Sequence, residues 1–304
     1  MVAGSLHGLS CTRSQHILFS MTSHSNALDE IDKQAVAPNP DEALDAKSPS
    51  EGSDRQFVTA LARGLEVLRC FRSGEERLGN QQLAERCRLP KSTVTRLTYT
   101  LTKIGYLHHD QASGRYRLGM AALGIGGSTL ARLEVKEKSR SVLQAVAEST
   151  GLQLSLGVRD DLSMLYVDTC HGNSIVTLQL NVGSRIPISV TAMGRACLAG
   201  MDEVSRRDIL VRIRALDPVK WPKIKTGIQQ AIVDLAEHGC CVSFSEWRTE
   251  VHGIGIPLSL GSALPDMVVT AAGPAMTRTR ESYMTEVRPL LISAVQDIKR
   301  RLSD

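Results

Sequence analysis

Two short amphipathic segments separated by only three residues are the feature that most constrains how this chain folds. The first segment begins near Gly79 and Asn80, and its apolar residues recur at helical spacing. They are Leu83, Ala84 and Cys87. Residues 88–90 form a turn, and Pro90 suits the first position of the next helix, where its missing N–H costs nothing. The apolar residues of that next helix are Val94, Leu97, Leu101 and Ile104, and Gly105 fits its end. The pattern predicts a helix-turn-helix.

Another helix and a hairpin flank this motif. The residues that predict one face of the preceding helix are Val58, Leu61, Leu65, Leu68 and Phe71. After Gly105, residues 106–109 and 115–118 are typical of two short strands joined by a five-residue loop. Three helices followed by a hairpin make a winged helix-turn-helix, which we assign to residues 55–119.

The charge of this region favours a polyanionic partner. Residues 55–119 contain twelve Lys or Arg and five Asp or Glu, a net charge of +7, whereas the whole chain carries only +4. Binding of a basic surface to nucleic acid is driven by the release of counterions from the phosphates. Many solvated surfaces are also basic, so this signal alone is weak.

The second helix of the motif opens with a polar, cationic stretch. The residues of this stretch are Lys91, Ser92, Thr93, Thr95 and Arg96. Arg pairs with guanine edges in the major groove, and Ser and Thr reach bases or phosphates. Arg115 and Arg117 on the hairpin would clamp the flanking backbone. Each of these residues taken singly fits an ordinary solvated surface. Their combination with the basic segment and the short turn favours DNA binding.

The rest of the chain predicts a polar tail and an α/β domain. Residues 1–54 lack a sustained apolar period and are predicted to be a disordered tail. A Gly-interrupted segment, 120–133, is predicted to be a linker helix. Within 134–304, helices are expected at 135–150, 192–201, 203–216, 224–237 and 280–302. Strands are expected at 152–158, 164–168, 175–180, 240–244, 251–257 and 267–272. The fold class is therefore α+β, with helices packed over a mixed sheet.

Several kinds of function find no support in the sequence. No segment reaches the 18 or so apolar residues of a membrane span, and the N-terminal residues lack the basic and apolar regions of an export signal, so we expect a cytoplasmic protein without membrane contact. The seven cysteines show no Cys-x-x-Cys spacing, which favours reduced thiols over a metal site or a disulfide framework. Residues 124–128 lack a complete dinucleotide loop, and no catalytic residues or cofactors are predicted.

Nine short runs of residues, spread over both halves of the chain, form one pattern. In the first half they are 63–68, 83–85, 89–97, 105–107 and 114–119. In the second half they are 183–185, 191–196, 255–257 and 272–274. Together they resemble the IclR family of bacterial transcriptional regulators over about residues 57–302, and the Leu-Pro-Lys-Ser-Thr-Val run is the most specific of them.

The resemblance implies a GAF-like α/β effector-binding domain, here residues 134–304, and a homodimer or homotetramer. It also implies double-stranded DNA and a small-molecule effector as partners. Two-fold symmetry would match a palindromic operator, with recognition helices about 34–36 Å apart in successive major grooves.

The resemblance also implies an effector pocket over the sheet. Its expected lining is Ala192, Met193, Ser243, Val251, Gly253, Thr270 and Ala272. Small residues leave room for a ligand, and the hydroxyls of Ser243 and Thr270 would orient it. Better-known members carry Cys and Ser where this chain has Gly253 and Ala272, so their specificity for small carboxylates does not carry over. An organic or aromatic acid is the expected effector.

Two alternatives remain open at this point. The C-terminal domain could be an enzyme with a DNA-binding appendage, although the expected pocket lining holds almost no titratable groups. The chain could also be an architectural DNA-binding protein without a ligand. Our main hypothesis is a sequence-specific transcriptional regulator whose binding to its operator depends on an effector.

Overall fold

A computed structural model of the chain describes residues 56–72, 77–131, 134–174, 178, 180–259 and 267–303. They divide into two compact units. One comprises the described parts of 38–139 together with 180–185, and the other those of 140–179 and 186–304. The predicted tail, 1–54, and most of the predicted strand 175–180 lie outside the described residues.

The first unit contains a winged helix-turn-helix, as predicted. Its helices are α1 (Thr59–Arg69), α2 (Asn80–Cys87) and α3 (Lys91–Lys103), followed by strands β1 (Leu107–Asp110) and β2 (Arg115–Leu118). The two strands pair antiparallel. Leu78, just before α2, adds a bridge to Tyr116 through backbone hydrogen bonds of 2.9 and 2.8 Å. This bridge, which the sequence did not predict, ties the wing to the start of the helix-turn-helix.

Local backbone geometry explains where α2 and α3 begin and end. The Gly79 N–H donates to Gln82 Oε1 over 3.0 Å, which satisfies one free donor at the start of α2. Arg88 adopts a left-handed conformation with φ 52°, and this turns the chain into α3. Pro90 is the N-cap of α3 and not its first residue, so the helix begins one residue later than expected. Gly105, with φ 79°, ends the helix region as predicted.

The core of this unit differs in part from the predicted apolar faces. Its buried members are Val67, Phe71, Leu78, Leu83, Val94, Leu101, Leu107 and Tyr116. Three residues of the expected α1 face, Val58, Leu61 and Leu65, are instead more than half exposed. Helix α1 carries apolar side chains on two faces, and the face with Gly64 and Val67 is the one that is buried. In α3, Ile104 is exposed and Thr98 is buried instead.

Two further helices precede the large sheet. Helix α4 (Met120–Ala131) coincides with the predicted linker, and its glycines do not prevent helix formation. Helix α5 (Glu134–Thr150) ends at Gly151, which has φ 71°. This end matches the prediction.

The second unit is built on a six-stranded sheet in the order β5-β4-β3-β8-β7-β6. The strands are β3 (Gln153–Asp160), β4 (Ser163–His171), β5 (Arg185–Pro187), β6 (Cys241–Phe244), β7 (Val251–Leu258) and β8 (Met267–Pro274). The four strand pairs whose register is described are all antiparallel, although a mixed sheet was expected. The predicted α/β domain is otherwise confirmed.

The helices of this unit cover both faces of the sheet. They are α6 (Ala192–Gly200), α7 (Glu203–Leu216), α8 (Trp221–His238), α9 (Arg280–Ser282) and α10 (Arg288–Ser303), with a π-helical segment, Tyr283–Val287, before α10. Helix α6 packs on the face that carries Gly157 and Gly255. Cys241 on the same face donates to the Ala231 carbonyl of α8 over 3.2 Å.

The opposite sheet face is mostly apolar, with Asp168 and His252 as buried polar residues on it. Its buried residues include Leu154, Leu156, Ile254, Ile256 and Val269. Helix α5 lies on this side, since the Cys170 thiol reaches the Arg140 carbonyl over 3.8 Å. Helix α10 also contacts β7 and β8. The two faces therefore differ in character, and the face below α6 is the one with small and polar residues.

Candidate DNA-binding surface and effector site

The amino-terminal half of α3 presents the predicted polar residues outward. Lys91, Ser92, Thr95 and Arg96 are exposed, and Thr93 is half-buried. Behind them Val94 is fully buried, so the helix is fixed by its apolar side while its polar side stays open. This is the arrangement that a helix entering a major groove requires.

Hydrogen bonds fix the position of Thr95 on this surface. Its hydroxyl donates to the Lys91 carbonyl over 2.9 Å and accepts from Asn80 Nδ2 over 3.4 Å. Thr98 in turn donates to Asn80 Oδ1 over 3.3 Å. Asn80 therefore holds the first turn of α2 against the middle of α3. Since the Thr95 proton is used within the helix, this hydroxyl is placed to accept from a base rather than to donate.

The wing carries its two arginines on β2, after a loop that Asp110 holds by hydrogen bonds. Arg115 and Arg117 are both exposed on β2. Asp110 accepts from the Ser113 hydroxyl over 2.7 Å and from the Ala112 N–H over 3.2 Å. It also pairs with Arg77 over 2.5 Å. The Ser113 hydrogen bond, followed by the Ala112 N–H and the charge of Arg77, lowers the pKa of Asp110.

One residue that the sequence reasoning missed extends this surface. Tyr99 is 64 % exposed on α3, three residues after Arg96, and Lys103 Nζ lies 5.5 Å from its ring centre. The helical spacing from Arg96 was a signal that could have identified it. Its phenol offers a flat, polar group next to the predicted contacts.

The residues expected around the effector share one sheet face. Cross-strand register places Ser243, Gly253 and Ala272 in one row, and Thr270 in the adjacent row opposite Gly255. Val251 lies at the start of β7 and is half-buried. Ala192 and Met193, both buried, come from the first turn of α6. The structure thus brings six of the seven residues close around the start of α6, with Val251 at the edge.

Small residues allow α6 to approach this face closely. A Cβ at Gly253 would lie 3.4 Å from Ala192 Cβ and 3.6 Å from Ala272 Cβ. A Cβ at Gly157 would overlap the Met193 side chain. The first turn of α6 therefore packs directly against β3 and β7.

Polar side chains on the same face were missed by the sequence reasoning. Register aligns Gln153 with Ala272, and Ser155 with both Thr270 and Thr169. Gln153 Nε2 donates to Ser155 Oγ over 3.2 Å, and Thr169 Oγ1 is buried with no hydrogen-bond partner among the described residues. Ser243, by contrast, donates its hydroxyl proton to the Val190 carbonyl over 2.7 Å. Strand register, which composition does not reveal, is what brings these residues together.

A separate cavity of about 740 Å³ opens at the end of the sheet. Its lining is Thr150, Gly151, Leu152, Asn173, Ser174, Thr277, Arg278, Thr279, Ser282 and Glu286. None of the seven predicted effector residues lines it. Arg278, the cation in this lining, already donates to the Thr150 carbonyl over 3.0 Å and to Glu286 over 2.7 Å.

Other possible sites in the described parts of the chain are few. No group of three or more His, Cys, Asp or Glu is placed there to hold a metal ion. Arg248, a cation in the loop after β6, stacks over the Trp247 ring at 4.6 Å from its centre. Among the helices that the structure describes, none has the length and apolar character needed to cross a membrane.

Comparisons with known proteins match both units. The family model for the IclR helix-turn-helix domain matches residues 60–111, and that for the bacterial transcriptional regulator IclR C-terminal domain matches residues 127–300. The HTH-type transcriptional regulator TsaQ1/TsaQ2 of Comamonas testosteroni is 33 % identical, covering 86 % of this chain and 95 % of its own length.

Solved structures of IclR family regulators are also similar to this chain. An IclR family transcriptional regulator from Brucella abortus is 37 % identical with a TM-score of 0.75, covering 86 % of this chain and 98 % of that one. An IclR homologue from Microbacterium hydrocarbonoxydans, solved with 4-hydroxybenzoate, has a TM-score of 0.63 and covers 81 % of this chain and 99 % of that one. At 18 % identity this second likeness shows the fold alone.

Proposed function

The chain belongs to the IclR family of bacterial transcriptional regulators, and we propose that it reads its operators through the first half of α3 and the wing. It is a DNA-binding regulator whose binding responds to a small molecule. The family assignment supports this hypothesis and not the alternative of an enzyme with a DNA-binding appendage. What remains to be assigned is which residues bind DNA, how many copies act together, and what the effector is.

The exposed polar face of α3 is the observation that carries the proposal. Arg96 would pair with a guanine edge, while Ser92 and Thr93 reach neighbouring bases or phosphates and Thr95 accepts from a base amino group. Lys91, together with the free N–H groups of the first helical turn, would bind a phosphate. Arg115 and Arg117 would hold the backbone beside the recognition helix, which positions the protein without reading sequence.

We also propose that two or four copies bind a palindromic operator. Large apolar side chains are exposed in the DNA-binding unit, which a monomer in water does not favour. They are Phe57, Val58, Leu61, Leu65, Met120, Leu123 and Ile125. A second copy covering α1 and α4 would remove them from water and provide the two-fold symmetry that paired half-sites need.

The proposed effector is an organic or aromatic acid bound between α6 and the sheet. Thr191 caps α6 by accepting from the Gly194 N–H over 3.1 Å, and the helix N-terminus carries partial positive charge. A carboxylate beside Ala192 and Met193 would gain from that charge. The small residues Gly253 and Ala272 would contact the body of the ligand, and Thr270 would hydrogen-bond a polar substituent. The ligand acts by binding unequally to two arrangements of the protein, which we place in the cytoplasm.

A DNA-binding titration of the full chain tests this function. Duplexes covering the DNA beside its own gene are titrated by fluorescence anisotropy, with a scrambled duplex as control. We expect one duplex to bind at least a hundredfold more tightly than the scrambled one, and its affinity to fall steeply with salt. Benzoate, 4-hydroxybenzoate and small aliphatic acids are then added, and one of them should change that affinity. Equal binding to all duplexes would contradict sequence-specific recognition.

If no acid in a broad panel changes the affinity, the result would favour the remaining alternative, a DNA-binding protein that binds no ligand. Thermal stabilisation of the full chain by the same acids provides an independent readout, because a ligand that binds the native state raises its Tm.

A further inference from the structure

Two cysteines that are distant in sequence meet in the DNA-binding unit. Cys70 Sγ lies 3.1 Å from Cys87 Sγ, although 17 positions separate the two residues. Cys70 directly follows α1, and Cys87 is the last residue of α2. Both side chains are half-buried against the core of the unit, whereas Cys170, Cys197, Cys240 and Cys241 are buried. The scattered spacing of the cysteines gave no indication of this pair.

We propose that Cys70 and Cys87 are a thiol oxidation site that forms a reversible disulfide when a hydroperoxide reaches the DNA-binding unit. A disulfide requires an S–S distance of about 2.05 Å. The two sulfurs, 3.1 Å apart in the reduced form, must therefore approach by about 1 Å for the bond to form.

The surroundings of the two thiols assign them different roles. Burial, with the hydrogen bond that Cys87 donates to Cys70 and the charges of Cys70 and Glu66, raises the pKa of Cys87 to about 12. Cys87 therefore keeps its proton and donates it towards the Cys70 sulfur. Arg86 Nη1 donates to the Cys70 carbonyl over 2.9 Å, which places a positive charge beside Cys70. Since Cys87 retains its proton, Cys70 is the sulfur left to attack the peroxide.

The reaction balances with one equivalent of hydrogen peroxide, the simplest hydroperoxide. The Cys70 thiolate attacks one peroxide oxygen, the O–O bond breaks, and the leaving hydroxide takes a proton to become water. The Cys70 sulfenic acid that remains is then attacked by the Cys87 sulfur, which loses its proton. A second water leaves as the S–S bond forms. Two sulfurs have each lost one electron, and the two peroxide oxygens have gained them.

The bond would join the two helices that support the recognition helix. Cys87 immediately precedes Arg88, the left-handed residue that turns the chain into α3. Closing a loop of this length restricts the unfolded chain far more than the folded one. The exposed residues Lys91 and Arg96 do not contact either sulfur, so we expect oxidation to stabilise the DNA-binding unit while leaving operator binding intact.

Peptide mapping of the oxidised full chain tests the proposal. Reduced protein is treated with a small molar excess of hydrogen peroxide, the remaining thiols are alkylated, and the chain is cleaved after glutamate. Cleavage after Glu75 and Glu85 separates the two cysteines. We expect a linked pair of peptides, two hydrogens lighter than their sum, that dithiothreitol separates. Thermal unfolding of the oxidised DNA-binding unit should occur roughly 5–15 °C higher.

Matched variants identify the pair. Cys70→Ser and Cys87→Ser should each abolish the linked peptides and the rise in Tm, whereas Cys11→Ser should change neither. Sulfinic acid or separate alkylation at Cys70 and Cys87 after treatment would overturn the proposal. So would a cross-link that joins either residue to a different cysteine, or to a second copy of the chain. A linked pair without any rise in Tm would overturn the inferred stabilisation.

Discussion

Arg195 on α6 and Glu246, just after β6, form a bidentate ion pair across 51 positions of sequence. Arg195 Nη1 donates to Glu246 Oε1 over 2.7 Å, and Nη2 donates to Oε2 over 2.5 Å. Arg195 is 5 % exposed and also donates to the Val242 carbonyl over 3.0 Å, whereas Glu246 is 34 % exposed. The guanidinium lies across Gly227 of α8, where a Cβ would overlap it. One side chain thus joins α6, α8 and β6.

Replacing Glu246 with Gln should destabilise the C-terminal unit. Arg195 would stay buried without a countercharge, at a cost of about 1–3 kcal/mol, less than for a fully buried pair because Glu246 is partly hydrated. Urea unfolding at pH 7 measures the change. Glu250→Gln, in the same loop but fully exposed, serves as control and should not alter the urea midpoint.

The ion pair between Arg195 and Glu246 also predicts that the free energy of unfolding depends on pH. Burial acts to raise the pKa of Glu246, but the hydrogen bonds and charge of Arg195, with Lys223, outweigh it and lower the pKa below its ordinary value. A lowered folded-state pKa gives stability that is present above the ordinary pKa and lost as the pH falls through the folded one. The stability difference between the unmodified chain and Glu246→Gln should therefore shrink between about pH 5 and pH 3. A constant difference over that range would contradict the ion pair.

Gly227→Ala should also destabilise the chain. The added methyl group would displace the Arg195 guanidinium, which its partners hold in place, and overpacking of this kind costs about 1–3 kcal/mol. Gly124→Ala on α4 is the control, since a Cβ there meets nothing within 4 Å. Combining Gly227→Ala with Glu246→Gln should give less than the sum of the single effects, because both act through Arg195. If the two effects on the free energy of unfolding are additive, the methyl group added at Gly227 does not act through Arg195.

Arg96→Ala should weaken binding to the operator by about 1–3 kcal/mol if the side chain reads a base. Arg96 is exposed, so the Tm should not change. Lys103→Ala, at the far end of α3, is the matched cationic control and should have a smaller effect that is uniform across sequences. Anisotropy titrations with operator variants measure both, and an unchanged affinity for Arg96→Ala would remove this residue from the base-reading set.

Gly253→Leu should abolish the response to the effector while leaving binding to the operator intact. The added side chain would occupy the proposed site between β7 and the first turn of α6, where even a Cβ would lie 3.4 Å from Ala192 Cβ. Gly253→Ala makes only ordinary contacts and should keep the response. The measurement is operator affinity with and without the active acid, and a normal response in Gly253→Leu would move the pocket elsewhere.

Asp110→Ala should loosen the wing and weaken operator binding. The Ala112 N–H and the Ser113 hydroxyl would lose their acceptor, and Arg77 its partner. Hydrogen exchange at residue 112 should become faster in the free protein. Asp161→Ala, at the hairpin between β3 and β4, is the control and should leave both exchange at residue 112 and DNA binding unchanged.

The sequence predicted elements well where the signal is local. The start of α3 after Pro90 and its end at Gly105 follow from backbone preferences of those residues. The buried face of α1 was predicted wrongly because its apolar residues occupy two faces, and periodicity does not say which face meets the core. Thr98 is buried although it is polar, because Asn80 and its own helix satisfy its hydroxyl. The hydrogen bond between Thr98 and Asn80 depends on how α2 packs against α3, which the sequence pattern does not reveal.

The candidate sites show the same limit. Lys91, Arg96 and the wing arginines could be identified because they lie on one short motif. Gln153, Ser155 and Thr169 could not, because strand register brings them together from different parts of the chain. The contact between Cys70 and Cys87 depends on how α1 packs against α2, and no spacing rule reveals it. The resemblance of the sequence to a family supplied the expected pocket residues, and their assignment to an effector stays a prediction.

The two faces of the central sheet allow ligand preference to diverge without loss of the scaffold. Leu154, Leu156 and Ile254 form an apolar layer on one side, whereas Gly253 and Ala272 face α6 on the other. In the proposed effector site, a change at Gly253 or Ala272 would therefore alter the contacts with a ligand while leaving that apolar layer untouched.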